Sequence, residues 1–157
     1  MNTKRKISIL LIGGLAAAGM AAAQDQEKKI KRSDLPAGVE KTVAAESAGA
    51  TIKGFSQEKE NGQIFYEVEM TVNGHTKDVL IDAKGAVVEV EEEVALEALS
   101  PEVRAGLLTK AGKAKITTVE TIKKRNKLVA YEAKVNADGK KSEVQVGPDG
   151  KPLDHEE

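Results

Sequence analysis

Carboxylates dominate the chemistry-bearing side chains of this 157-residue chain, which carries 25 Asp and Glu, 24 Lys and Arg, two His and no Cys. Nucleophilic catalysis needs a Ser or Cys set beside a base. His75 borders a turn and His155 sits in a charged tail, so neither an H-x-x-x-H nor a Ser–His–Asp pattern forms. Ser47, Ser56, Ser100 and Ser142 lie in no G-x-S-x-G context. The pairs Glu67/Glu69 and Glu89/Glu91 have the groups for acid–base work, but they fall on the outward phase of strands, where solvation is expected to keep carboxyl pKa values ordinary. The run Glu89, Glu91, Glu92 and Glu93 offers hard oxygen ligands of the kind calcium takes. The Asp-containing turns at Asp82 to Gly85, Asp138-Gly139 and Asp149-Gly150 lack the repeated acidic ligands of a calcium loop and read as turns. The absence of Cys removes disulfides, thiolate metal sites and thiol catalysis. The sequence therefore assigns no catalytic residue, no cofactor and no metal ligand, and the chain is expected not to be an enzyme.

The elements that position these groups occur twice. Leu35, Val39 and Val43 make one stripe of a helix opening at Pro36 and ending at Ser47-Ala48-Gly49. Leu99, Val103 and Leu107 repeat it, with Ser100 as N-cap, Pro101 as first helical residue and Gly112 as stop. A strand over 52–60 leads through Asn61-Gly62 into a second, in which Ile64, Tyr66, Val68, Met70 and Val72 point inward. Asn73-Gly74 turns into a third strand with Val79 and Ile81 inward, and a fourth runs over 87–93. The second copy follows with Val129, Tyr131, Ala133 and Val135, then Val144 and Val146 after Asp138-Gly139, its last strand short or missing. Tyr66 and Tyr131 share the inward phase and are expected beneath the helices. Ile52 and Phe55 are three apart, as are Ile116 and Val119, which predicts a β-bulge in each copy. The fold class is α+β: a tandem repeat of helix plus antiparallel meander, forming one broad sheet with the helices on one face.

Lys4, Arg5 and Lys6 precede an apolar run broken by glycines, and Ala21-Ala22-Ala23 supplies a small-residue cleavage pattern. Segment 1–23 is thus expected to be a signal peptide cut between Ala23 and Gln24, 24–34 a flexible charged leader, 35–98 the first repeat and 99–157 the second. The expected address is the periplasm or the medium, with no stable membrane anchor. The first repeat holds 5 basic and 13 acidic residues, the second 12 and 9. With this balance and few aromatic residues, nucleic acid is not an expected partner, and the basic stretch 123–127 reads as a solvated hairpin tip.

The order Leu35-Pro36, Gly49-Ala50-Thr51-Ile52, Asn61-Gly62, Tyr66-Glu67-Val68, Asn73-Gly74, and Asp82 three before Gly85 resembles the PepSY-like family of secreted bacterial proteins. The resemblance spans both repeats. It implies a fold like that of the secreted β-lactamase inhibitor proteins, and, through PepSY domains in metallopeptidase propeptides, an inhibitory or chaperoning role. The chain departs from those propeptides in having no peptidase attached, and its last unit is truncated. The expected function is binding of another macromolecule, with a secreted peptidase as the implied partner class; the alternative is binding of a small ligand or divalent cation. The expected contact surface is the sheet face opposite the helices, where Phe65, Glu67, Glu69, Leu80, Val87, Glu89 and Glu91 share the outward phase.

Overall fold

The structure is a computed structural model and describes residues 27–157. The expected signal peptide over 1–23 and its cleavage point at Ala23 and Gln24 lie outside the described residues. The elements run β1 (Lys28–Lys29), α1 (Ala37–Glu46), β2 (Thr51–Glu60), β3 (Gln63–Val72), β4 (His75–Asp82), β5 (Val87–Val94), α2 (Pro101–Ala111), β6 (Lys115–Lys124), β7 (Lys127–Ala137) and β8 (Lys140–Val146). All eight strands form one open antiparallel sheet in chain order. No helix among the described residues is long and apolar enough to cross a membrane.

Short left-handed turns set this order. Asn61 and Gly62 have φ of 48° and 79°, and Asp138 and Gly139 have 52° and 85°. Such turns match the twist of the strands they join. Arg125 and Asn126 do the same between β6 and β7. Lys123 and Lys124 therefore belong to β6 and Lys127 to β7, so the hairpin tip expected over 123–127 narrows to a two-residue turn. The register of β6 against β7 shifts between Ile122 and Lys123, just before this turn. The shifts between Ile52 and Gly54 and between Ile116 and Thr118 sit where apolar alternation fails in the sequence.

Both helices lie on the same side of the sheet. Val39 and Val43 of α1 pack with Tyr66, Val68, Met70, Val79 and Ile81. Val103, Leu107 and Ala111 of α2 pack with Val119, Ala133, Val135 and Val146. Val90 joins the first cluster and Val94 the second. Being four apart on β5, they point the same way. Tyr66 is buried among the first set, and Tyr131 packs partly buried against the second. Ile64, expected inward, sits at the hairpin end beyond the cover of α1 and is 38% exposed. Ser100 Oγ accepts from the Val103 N–H at 3.3 Å and caps α2.

The turn after β4 docks on α1, where a Cβ on Gly85 would stand 2.6 Å from the Gly38 carbonyl oxygen. Thr42 Oγ1 donates to the Gly85 carbonyl at 2.6 Å. The turn after β8 docks on α2 in the same manner, Gly150 lying against the backbone of Glu102. The leader expected to be flexible over 24–34 is corrected within the described residues. Lys28–Lys29 pairs with β2, Ile30 N–H donates to the Phe55 carbonyl at 3.1 Å, and Arg32 grips Glu40 at 2.7 Å. Ile30 and Leu35 join the core, and that burial fixes the segment.

Candidate functional site

Strand alternation sends the remaining side chains to the helix-free face, where pairing across strands gathers them into rows. Ser56, Glu67, Leu80, Glu89 and Lys124 form one row across β2 to β6. Glu69, Asp78, Glu91, Ile122 and Ala130 form the next. Glu93, Glu120, Glu132 and Gln145 form a third across β5 to β8.

Six of the seven residues expected on this face are there. Val87 is the exception: the register shifts between Leu80 and Ile81, so Val87 pairs with Ile81 and packs into the cluster under α1. The bulge at the start of β5 reverses its phase. Solvation is also corrected. Phe65, Glu67, Leu80, Glu89 and Glu91 are buried, as are Asp78, Glu120, Ile122 and Glu132. Large side chains standing side by side in adjacent rows exclude water without a second layer of helices. Glu157 adds to this by returning to the sheet, its N–H donating to Gln145 Oε1 at 2.8 Å.

Burial changes what these carboxyls can do. It pushes Glu89 from 4.5 up to about 8, helped by the negative charge of Glu91 and opposed by Lys124. It pushes Glu132 to about 7, opposed by the hydrogen bond from Gln145. The expectation of ordinary pKa values thus fails, because outward phase did not mean exposure. Glu93, at the rim, is lowered instead, chiefly by the Thr76 backbone N–H that donates to its Oε2 at 2.9 Å.

Partners are unevenly supplied. Ser56 Oγ donates to Glu67 Oε2 at 3.1 Å, Gln145 Nε2 to Glu132 Oε2 at 2.8 Å and Lys134 Nζ to Glu120 Oε1 at 2.9 Å. Lys124 Nζ stands 3.1 Å from Glu157 Oε2 and 3.9 Å from Glu89 Oε2. Glu91, Glu120 and Glu132 each place one carboxylate oxygen within 4.8 Å of the other two. The acidic run Glu89, Glu91, Glu92 and Glu93 does not act as one group. Glu92 lies on the helix side against Lys123 at 2.6 Å, and Glu93 holds Thr76 at the rim. His75 and His155 are exposed, against Glu93 at 3.8 Å and Glu157 at 4.0 Å. The basic stretch is likewise divided, Lys123 to one side of the sheet and Lys124 to the other.

Glu120 and Glu132 are the residues that sequence reasoning passed over. One signal was present: Glu132 in Tyr131-Glu132-Ala133 stands where Glu67 stands in Tyr66-Glu67-Val68.

No protein-family model and no curated protein matches the chain. Solved structures match its fold. A DUF2874 family protein from Bacteroides ovatus aligns with a TM-score of 0.58 at 22% identity, covering 76% of this chain and 84% of that one. A BLIP-like protein from Bacteroides fragilis gives 0.56 at 19% identity over 76% and 83%. A candidate periplasmic protein from Bacteroides eggerthii gives 0.61 at 14% identity over 76% and 86%. At these identities the likeness is one of fold.

Proposed function

We propose that this chain is an exported, non-enzymatic protein of the bacterial envelope that binds another macromolecule through the helix-free face of its sheet. One observation carries the reading: carboxylates from six neighbouring strands converge on that face around Phe65, Leu80 and Ile122, while both helices are spent on the other. A surface of this composition is complementary to a basic partner with an apolar anchor. Support for the compartment comes from the periplasmic description of the Bacteroides eggerthii structure. Support for binding comes from the BLIP-like fold of the Bacteroides fragilis structure. The resemblance to the PepSY-like family adds the class of partner, a secreted peptidase that the chain inhibits or chaperones. The reading of the chain as two repeats belongs with it, and the matching glycine contacts of Gly85 on α1 and Gly150 on α2 favour it.

The test is affinity capture from periplasmic extract, comparing the wild type with a Glu69→Lys, Glu143→Lys variant. Both positions border the face without being buried in it, so folding should survive. Wild type is expected to retain a discrete protein at low salt, and the variant to lose it. Equal capture by a variant that melts like wild type would remove this face from the binding surface.

A further inference from the structure

We propose that Glu91, Glu120 and Glu132, with Glu89 beside them, form a buried site for one calcium-class divalent cation. The donor set is all carboxylate oxygen, which suits hard cations and not thiophilic or imidazole-seeking metals. Among hard cations, a site made of several protein carboxylates suits calcium. Calcium takes about six to eight oxygen ligands in flexible geometry, whereas magnesium demands near-ideal octahedral geometry and usually keeps several waters instead of entering an all-protein cage. The three oxygens, within 4.8 Å of one another, are close enough to share one cation.

Two further observations point to a ligand. Glu89 Oε2 makes no hydrogen bond although its side chain is only 4% exposed, and Lys124 Nζ, at 3.9 Å, is beyond hydrogen-bond reach. The Glu89 carboxyl meets that of Glu91, a member of the set. The second observation is charge. Five carboxyl groups, those of Glu89, Glu91, Glu120, Glu132 and Glu157, meet only two ammonium groups, those of Lys124 and Lys134, and Lys124 stands nearer Glu157 than Glu89. Asp78, Glu93 and Glu143 border the set and add to the negative potential. Buried charge of one sign is expensive unless something neutralises it.

This site is independent of any macromolecular partner, so it is tested on the isolated protein. The exported chain, stripped with a chelator, is titrated calorimetrically with calcium chloride and then with magnesium chloride, and melted at increasing calcium. The expected results are one calcium per chain, weaker magnesium binding, and a Tm that climbs with free calcium. Glu91→Gln and Glu132→Gln, each close in shape to the wild-type side chain, should abolish calcium binding, while Glu97→Gln, exposed on the loop before α2, should leave it intact. No heat and no Tm shift in the wild type at millimolar calcium overturns the proposal. Calcium binding retained by both glutamine variants overturns it equally. Loss of binding only in variants whose circular dichroism is native supports it.

Discussion

Raising the pH is expected to weaken this fold, because the helix-free face holds carboxyl groups that keep their protons when folded. Glu89 is pushed from 4.5 to about 8 by burial and the neighbouring Glu91, and Glu132 to about 7 by burial. In the unfolded chain both return to the ordinary carboxylate range. Between 4.5 and about 8 the folded form therefore binds more protons than the unfolded form. Stability is greatest below that window, falls as pH rises through it, and levels off above it. At about 1.4 kcal/mol per pH unit, Glu89 alone contributes at most ~5 kcal/mol between the two limits. A small domain has only about 5–15 kcal/mol of stability, so the loss is large. Glu93, lowered by Thr76, acts with the opposite sign but below this window. The assay is urea unfolding in chelator, followed by circular dichroism at about pH 5, 7 and 9. The midpoint should fall steadily across the series. Glu89→Gln carries a neutral amide at every pH, so its profile should be flatter and its midpoint at about pH 9 above that of wild type. A wild-type midpoint unchanged or raised between the two ends would refute the reasoning, as would a Glu89→Gln profile of unchanged slope.

Two other perturbations test the packing. Gly150→Ala should lower the Tm well beyond Gly139→Ala: both residues have positive φ, but only at Gly150 does an added Cβ run into a helix backbone, while the left-handed conformation alone costs about 1–2 kcal/mol. Thermal melts of the two variants give the comparison directly. Lys134→Met strips the buried Glu120 of its 2.9 Å partner and should destabilise on the order of 3 kcal/mol, whereas Lys151→Met, whose ion pair with Asp149 is fully exposed, should melt like wild type.

Local chemistry made much of the architecture legible from the chain alone. Helix stripes at Val39 and Val43 and at Val103 and Leu107, the Ser100 cap, the left-handed Asn-Gly and Asp-Gly turns, and the two early bulges are all properties of neighbouring residues. The phase of β3 likewise placed Phe65, Glu67 and Glu69 on the face away from the helices. Where the signal failed, the cause was non-local. Val87 changed sides because a register shift against β4 reversed its phase, and single-strand periodicity cannot register a shift that exists only in a pair. The short β1 has no alternation to read and exists through pairing with β2. Period two also says which side a carboxyl takes but not what crowds it there. Glu91 reaches Glu120 and Glu132 only because β5 pairs with β6 across the whole α2 connection, and β6 with β7. That pairing brings the carboxylates together in one buried set, and burial is what raises the proton affinity of Glu132 within it. The sequence determined where the acids stand along each strand; only the sheet decided that they meet, out of water, where each one's charge is felt by the others.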